Sequence, residues 1–167
     1  MTIEPAIDWE KWEYGIHATL MFIIRDGNIL LIEKKRGLGA GKVNGPGGKI
    51  DPGETARQAA IRETEEELRI TPLNPKKLGE LWFVMSHVPD IRCHVYRAEE
   101  FEGTPTETDE AVPLWTRLDR VPFDRMWEDD RHWIPHLIAN TSFHGRFVFK
   151  EESMQWMDMQ TGMQWPD

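Results

Sequence analysis

The chain has 167 residues, 40% of them hydrophobic, and its formal net charge at pH 7 is −9. This length and hydrophobic content suit one domain with a substantial core, so we predict a single domain over residues 1–167. Residues 1–15 are predicted to be an irregular N-terminal extension, with Trp9 and Trp12 packed onto the body. The negative charge argues against broad binding to nucleic acid polymers or to anionic membranes.

The cysteine content and the apolar segments bear on where the protein works. Cys93 is the only cysteine, so no intramolecular disulfide can form, as expected for a reducing cytoplasm. The N-terminus is too acidic and too interrupted for a signal or transit peptide. The longest apolar run, residues 18–24, is far too short to span a bilayer. We therefore predict a cytoplasmic protein without a membrane partner, and a monomer by default.

The first elements in chain order are a hairpin and a glycine-rich loop. Residues 17–24 and 29–34 are apolar runs separated by the turn signal Asp26-Gly27-Asn28, which predicts two antiparallel strands. Residues 36–49 follow with the sequence RGLGAGKVNGPGGK, which holds six glycines in fourteen residues. This segment is too short for a linker and too basic to be inert. We therefore expect a loop that lies close to a ligand.

A helix with an unusual acidic face comes next. Thr55 stands where an N-cap belongs, after the Pro52-Gly53 turn and before a run of good helix formers. Glu63, Glu66 and Glu67 are spaced i, i+3 and i+4, which places their carboxylates on one face. Like charges at this spacing repel by a few tenths of a kcal/mol per pair. Such a face is either solvated or held together by a cation, and spacing within the helix leaves both readings open.

The second half of the chain is predicted to contain further strands and one more helix. Pro72 and Pro75 indicate a loop after the acidic helix, and residues 99–110 read as an acidic loop. A second helix is predicted over about residues 131–140. Strands around two helices predict an α/β sandwich with a mixed sheet. The predicted strands of this half cover residues 79–85, 91–97, 114–115, 143–150 and 154–159.

The residues that lead into the acidic helix and lie on it follow a known signature. A glycine, five residues, a glutamate, seven residues, Arg-Glu and, two residues on, Glu-Glu resemble the Nudix box of the Nudix hydrolases. Thr64 and Arg69 depart from that pattern, which has an apolar residue and a glycine there. Arg69 affects only how the helix ends, because glycine adopts a left-handed conformation more easily. The matching positions are Gly48, Glu54, Arg62, Glu63, Glu66, Glu67 and Ile70.

The resemblance implies a fold, a metal and a reaction. The fold is the Nudix fold, an α/β/α sandwich around a mixed β-sheet, which agrees with the element pattern. The reaction is hydrolysis of a nucleoside diphosphate derivative with Mg²⁺, or possible Mn²⁺, as cofactor. Arg62 is implied to orient a glutamate, and the residue that takes the proton is left open. The implied metal ligands are Gly47, through its carbonyl, and Glu63, Glu66, Glu67 and Glu110.

Segments outside the box resemble the branch of the family that hydrolyses oxidised purine nucleoside triphosphates, such as 8-oxo-dGTP and 2-hydroxy-dATP, to the monophosphate and pyrophosphate. In that branch an asparagine, a tryptophan and two adjacent aspartates read the base. Two neighbouring carboxylates in a partly dry pocket cannot easily both ionise, so the pair offers a donor as well as acceptors. The implied substrate-binding residues are Thr19, Lys34, Asn44, Gly47, Gly48, Trp127, Asp129 and Asp130.

Other interpretations of these residues stay open. Asp129-Asp130 before a helix can be an ordinary N-terminal cap, and Asn44 beside a glycine can be a turn residue. Glu128 replaces a proline of the resembled branch, and Val43 and Leu38 replace aromatic residues, which makes the pocket wall less aromatic. The alternative functions are another Nudix activity on a different nucleoside diphosphate derivative and a non-catalytic nucleotide-binding module.

Overall fold

The structure is a computed structural model that describes residues 5–166, so residues 1–4 of the predicted N-terminal extension lie outside it. The described residues form two α-helices and eleven β-strands. The helices are α1 (Ala56–Leu68) and α2 (Asp130–Ile138), and Phe123–Arg125 form a short 3-10 helix. The strands are β1 (Ile16–Arg25), β2 (Asn28–Lys34), β3 (Val43–Asn44), β4 (Gly47–Lys49), β5 (Ile70–Leu73), β6 (Lys76–Val84), β7 (Ile91–Ala98), β8 (Glu100–Gly103), β9 (Ala111–Arg117), β10 (Phe143–Lys150) and β11 (Ser153–Thr161).

Nine of these strands form one mixed sheet. Its main order is β11-β10-β6-β7-β1-β2-β3, with β9 paired to β2 and β4 paired to the first half of β1. Strands β1 and β7 run parallel, as do β6 and β10, whereas the other pairs in this sheet are antiparallel. The β1–β4 pair sets Thr19 opposite Gly48. This pairing brings the start of the Nudix-like signature to the middle of the sheet.

The two helices cover opposite faces of the sheet. The side chains of β1 show this, because successive side chains of a strand point to opposite sides. Phe22 of β1 belongs to a core cluster that includes Trp133 of α2, and the two rings meet edge to face with centroids 5.7 Å apart. Its neighbours Met21 and Ile23 belong to a second cluster with Leu68 of α1. The predicted α/β/α sandwich around a mixed sheet is therefore confirmed.

Helix α1 begins and ends as its sequence predicts. Thr55 and Gln58 form a reciprocal capping box, in which each side chain accepts a hydrogen bond from the other's backbone amide. Arg69 ends the helix in the left-handed conformation, with φ 62°, where glycine would be less strained. No helix in residues 5–166 has the length and apolar character that crossing a membrane requires.

The predicted glycine-rich loop contains the short strands β3 and β4, and two other segments predicted as loops also form strands. β5 and β8 pair antiparallel as a separate two-stranded sheet, in which Pro72 lies opposite Phe101. The prediction missed them because Glu100 and Glu102 make β8 acidic, and only Phe101 between them is partly buried. Ile70 is buried, and Phe101 packs against the same core as α1. Tertiary burial therefore outweighs the loop signal of the proline and the charges.

Candidate active site

A cavity of about 170 Å³ lies beside β1, between the glycine-rich loop and the N-terminal end of α2. One ordered water needs roughly 10–15 Å³ by a comparable measure, so this space is that of a ligand. Glu67 of α1 lies at one end of it and the aspartates before and in α2 line another part. The cavity brings together all eight residues that the sequence predicted for substrate binding: Thr19, Lys34, Asn44, Gly47, Gly48, Trp127, Asp129 and Asp130.

Three carboxylates meet at the α1 end of the cavity. Oxygen atoms of Glu63, Glu67 and Glu110 lie within 4.8 Å of one another, the last supplied by the loop between β8 and β9. Burial raises the pKa of Glu67 to about 8, and the nearby Glu63 and Glu110 add to the shift. Burial also raises the pKa of Glu63. Negative charges held together in this way favour a proton or a bound cation.

Glu66 lies outside this group of three. Its side chain is about half exposed and accepts a hydrogen bond of 3.2 Å from Arg62. Glu63 accepts from the same Arg62 nitrogen, so Glu66 lies near the group, and its ligand role stays a prediction. Gly47 contacts the group through its amide, which donates to Glu67 Oε2 at 3.2 Å. The predicted role of its carbonyl stays a prediction.

Arg62 fixes the carboxylates on the exposed side of the group. Its guanidinium donates twice to Glu54, at 2.7 and 2.9 Å, and once to Glu63, at 2.9 Å. These hydrogen bonds, first of all the one to Glu54, raise the pKa of Arg62, and they lower the pKa of Glu54. The backbone carbonyl of Lys49 also accepts a hydrogen bond from Arg62. Glu54 thus aligns Arg62, and Arg62 aligns Glu63.

The paired glycines of the signature are required by close packing. A Cβ at Gly48 would lie 2.5 Å from the carboxyl carbon of Glu63, and a Cβ at Gly47 would lie 1.9 Å from the carbonyl oxygen of Thr19. Both distances are far below contact distance, and the second neighbour is backbone that cannot move aside. A larger residue at Gly47 would therefore separate β4 from β1, and one at Gly48 would displace the Glu63 carboxylate from its place in the group.

Thr108 is a site residue that the sequence reasoning missed. Its hydroxyl donates to the backbone carbonyl of Glu67 at 2.7 Å and accepts from the amide of Glu110 at 3.3 Å. One side chain thus holds the loop that carries Glu110 against the end of α1. The available signal was a threonine two residues before a glutamate, since a threonine hydroxyl can accept the amide two residues on.

Basic side chains lie next to the carboxylates. Lys34 lines the cavity, and its ammonium group donates to the carbonyl of Leu38 at 2.7 Å. Arg36 pairs with Glu110 at 3.0 Å, and Lys35 pairs with Glu107. The site therefore presents cations beside a potential cation-binding group. This combination suits a polyphosphate, whose oxygens bind both metal ions and ammonium or guanidinium groups.

The aspartate pair lies at the α2 end of the cavity. Asp129 and Asp130 are each only 3% exposed. Asp129 occupies the N-cap position of α2 but makes no capping hydrogen bond through its side chain. It accepts instead from the Trp133 indole at 2.8 Å, and Asp130 accepts from the Trp127 amide at 3.1 Å. The capping interpretation of Asp129 is thus not supported.

Burial changes the protonation of this pair. It raises the pKa of Asp129 to about 6. It also raises the pKa of Asp130 well above its usual range, and the neighbouring Asp129 carboxylate raises it further. The Asp130 carboxyl therefore keeps its proton at a pH where Asp129 is ionised. Near neutral pH the pair carries both an O–H donor and carboxylate acceptors.

Three further predicted residues complete the wall of the cavity. The Asn44 Oδ1 accepts from the amide of Gly45 at 2.8 Å, so the amide nitrogen is the part that can serve a ligand. The Trp127 ring meets Phe149 edge to face, and the ammonium group of Lys42 lies 5.2 Å from the Trp127 ring centroid. The Thr19 hydroxyl is buried without a hydrogen-bond partner among residues 5–166.

The three positions that depart from the resembled branch have different surroundings. Val43 is fully buried in the core on the α2 side of the sheet and does not line the cavity. Leu38 lines the cavity and is 47% exposed. Glu128 accepts a hydrogen bond of 2.7 Å from the Met154 amide in β11. That contact directs Glu128 toward the last strand.

Similarity to known proteins agrees with this geometry. The family model described as NUDIX domain matches residues 15–137. The chain is 42% identical over 133 residues to the oxidized purine nucleoside triphosphate hydrolase of Danio rerio, covering 79% of this chain and 85% of that protein. It is 38% identical over 135 residues to the protein of the same name from Mus musculus, covering 80% and 86%.

A solved structure shows the same fold. The MutT protein from Bacillus halodurans superposes with a TM-score of 0.78 and 23% sequence identity, over 86% of this chain and 97% of that one. The region matched by the family includes α1 with its carboxylates, the Glu110 loop and the aspartate pair. The match to the family model, the two relatives and the arrangement of the signature residues therefore show that the chain belongs to the Nudix family of hydrolases.

Proposed function

We propose that the protein hydrolyses oxidised purine nucleoside triphosphates, such as 8-oxo-dGTP and 2-hydroxy-dATP, to the monophosphate and pyrophosphate. It would thereby remove damaged nucleotides from the pool. The observation that carries this proposal is the buried pair Asp129 and Asp130 in the cavity that also reaches Glu67. The names of the relatives from Danio rerio and Mus musculus support the same substrate class.

The aspartate pair suits an oxidised purine because oxidation changes the hydrogen-bonding pattern of the base. In 8-oxoguanine the N7 position carries a hydrogen and donates, whereas in guanine it accepts. A carboxylate on Asp129 accepts such a donor, and a protonated Asp130 donates to a neighbouring oxygen. Asn44 supplies amide hydrogens, and Trp127 supplies an aromatic face for stacking. The pocket therefore reads both the edge and the face of the base.

Nudix hydrolases generally use a divalent metal, and the donor set here fits a hard cation. Three carboxylates lie within 4.8 Å of one another, and oxygen ligands are those that Mg²⁺ prefers. We propose that Glu63, Glu67 and Glu110 hold Mg²⁺, for which Mn²⁺ can substitute, with Glu66 and the Gly47 carbonyl as further ligands. When bound, such an ion neutralises phosphate charge and activates a water for attack on phosphorus.

The protein groups around the metal ligands position the substrate and the ligands themselves. Lys34 lines the cavity and would bind the triphosphate oxygens, whereas Arg36 pairs with Glu110. Arg62 keeps Glu63 in place through the hydrogen bond of 2.9 Å. Thr108 keeps Glu110 close to Glu67. Each group acts by holding a charged atom in one geometry before the substrate arrives.

A panel of nucleotides tests the proposal. With Mg²⁺ present, kcat/KM for 8-oxo-dGTP should exceed that for dGTP by about 100-fold or more, because a site built to hydrogen-bond a substrate rejects analogues that leave its polar groups unpaired. Pyrophosphate release is the measurement. Faster turnover of CTP or ADP-ribose would favour the alternative of another Nudix activity. Binding of nucleotides without any hydrolysis would favour a non-catalytic module.

A second prediction concerns Thr108. Replacement of Thr108 by Val removes both hydrogen bonds but keeps the volume, so kcat should fall by about 10- to 100-fold, as for the loss of residues that orient ligands. Thr108→Ser should retain most of the activity. The matched control is Thr106→Val, since that hydroxyl bonds only within its exposed loop, to the Thr104 carbonyl. Equal losses of activity in the Thr108 and Thr106 variants would contradict the positioning role.

We also propose that the protein acts on free nucleotides as a cytoplasmic monomer of one domain, with no nucleic acid polymer or membrane as partner. Two properties of the chain support this. Its net charge of −9 disfavours polyanionic partners. Its only cysteine, Cys93, is buried and unpaired, as suits a reducing compartment. Size-exclusion chromatography with light scattering measures the oligomeric state.

A further inference from the structure

The described part of the N-terminal segment, residues 5–14, lies ahead of the region matched by the family and has no part in the proposed mechanism. Its two tryptophans nevertheless pack closely on the sheet. Trp12 stacks on Trp82 of β6 with ring centroids 5.0 Å apart, and Trp9 stacks on Trp156 of β11 at 6.1 Å. The predicted packing of Trp9 and Trp12 onto the body is confirmed. The segment is thus anchored on two strands.

Asp90 connects this segment to the turn between β6 and β7. Its Oδ2 accepts from the Trp12 indole nitrogen at 2.9 Å, and its Oδ1 accepts from the Met85 amide at 3.0 Å. Its backbone carbonyl accepts from the amides of Gly15 and Ile16, at 2.9 and 3.0 Å. One residue therefore joins the N-terminal segment, the start of β1 and the β6–β7 turn.

The same turn forms a wall of the nucleotide cavity. Met85 at its beginning and Ile91 just after its end both line the cavity. Close packing restricts its other side, since a Cβ at Gly15 would lie 2.6 Å from the Cβ of Pro89. Movement of the turn would therefore change the hydrogen bonds of Asp90 and the position of Met85 together.

We propose that Trp12 and Asp90 are positioning residues through which the N-terminal segment fixes the Met85–Ile91 wall and so sets the affinity for the base. This inference rests on the proposed function in one respect, that the cavity takes a nucleotide base. The Trp12 indole donates to a carboxylate, and a hydrogen bond to a charged acceptor is stronger than one between neutral groups. Asp90 is thereby held in the orientation that receives the Met85 amide.

The variant Trp12→Phe tests the inference because it keeps an aromatic ring on Trp82 and removes the N–H donor, and the loss of ring area that accompanies this is matched in the control variant. In the nucleotide-free protein, amide hydrogen exchange of peptides covering residues 83–91 should become faster. The KM for 8-oxo-dGTP should rise about 3- to 10-fold, which is less than the full loss of one hydrogen bond to a charged group, because the lost bond acts on the base only through the cavity wall. The kcat should stay within about 2-fold, since the metal ligands are untouched.

Trp156→Phe is the matched control, because it removes an indole from the same aromatic cluster without touching Asp90. It should change neither the exchange of residues 83–91 nor the KM. Asp90→Asn is a second test variant and should repeat the Trp12→Phe result. Unchanged exchange and KM in both test variants, or equal changes in the control, would overturn the inference. Absence of hydrolysis of any oxidised purine would refute the proposed function alone, because the exchange measurement needs no substrate.

Discussion

Replacement of Glu67 by Gln is expected to lower kcat for 8-oxo-dGTP by about 10²- to 10⁴-fold at saturating Mg²⁺, because a catalytic metal stabilises the charge of the transition state by several kcal/mol and glutamine weakens its proposed site. Glu67 is the most buried member of the carboxylate group and the only one that also lines the cavity. Glutamine has the same shape and keeps an oxygen for the Gly47 amide, so the loss should come from the missing charge. Pyrophosphate release measures the effect.

The same variant should make the metal-free protein more stable. Burial raises the pKa of Glu67 to about 8, so its stability contribution is fully present below the unfolded-state pKa near 4.3 and is lost as pH rises toward the folded pKa. At pH 7 the folded protein keeps the Glu67 carboxyl mostly protonated whereas the unfolded chain ionises it, and this proton uptake costs on the order of a few kcal/mol, which glutamine avoids. Thermal unfolding with a chelator present should therefore give a higher Tm for Glu67→Gln at pH 7 than for the unmodified protein, with a smaller difference at pH 5.

Glu65→Gln is the matched control on the same helix. Its side chain is exposed and accepts from the Thr71 hydroxyl at 2.8 Å, away from the cavity. It should leave both kcat and the Tm nearly unchanged. Near-full turnover by Glu67→Gln with Mg²⁺ would rule out the assignment of Glu67 as a metal ligand.

The elements that the sequence predicts well are those with local signals. The β1–β2 hairpin follows from a turn of Asp26, Gly27 and Asn28 between two apolar runs, and α1 follows from Thr55 and the run behind it. The β5–β8 pair is different, because Leu73 and Glu100 meet although 27 residues separate them in sequence. No local sequence pattern identifies such a distant partner. The proline in β5 and the glutamates in β8 also obscure the alternation of apolar and polar residues that predicts a strand.

The spacing of glutamates on α1 identifies only part of the group of carboxylates that is proposed to hold the metal. Glu63 and Glu67, at i and i+4, do lie together, whereas Glu66 is about half exposed and lies outside the group. Helical periodicity cannot decide this, because both neighbours lie on the same face. Thr108 and Asp90 were missed for a related reason. Their partners Glu67 and Trp12 are 41 and 78 residues away in the chain, so their roles exist only in the folded structure.

The second large effect is expected from Asp129→Ala, which should abolish selection for oxidised purines. We expect kcat/KM for 8-oxo-dGTP to fall by about 10²-fold or more, because the site loses one member of a buried, hydrogen-bonding pair. The value for dGTP should change much less. The ratio of the two constants is the readout, since effects on the metal group cancel in it. An unchanged kcat/KM for 8-oxo-dGTP would show that the pair does not read the base.

Loss of stability must be separated from loss of recognition in this variant. Alanine leaves the buried Trp133 indole without its acceptor, which costs about 1–3 kcal/mol. The Tm should therefore fall, yet dGTP hydrolysis by the folded fraction should persist. Asp124→Ala serves as control, because that side chain is fully exposed and its ion pair with Arg131 is long, at 3.7 Å. It should change neither the Tm nor the ratio of kcat/KM values.

The unmodified protein allows a test of the same pair by pH alone. Burial raises the pKa of Asp130 well above its usual range and that of Asp129 to about 6, so the shared proton is kept until the pH passes the higher of the two values. The pair loses its donor when this proton leaves. The ratio of kcat/KM for 8-oxo-dGTP to that for dGTP should therefore be largest above about pH 6, where Asp129 is ionised and Asp130 still holds its proton, and should decline at higher pH as that proton leaves. Asp130→Asn keeps a neutral donor at every pH, so its ratio should no longer decline. A decline of equal size in that variant would assign the titration to a group other than Asp130.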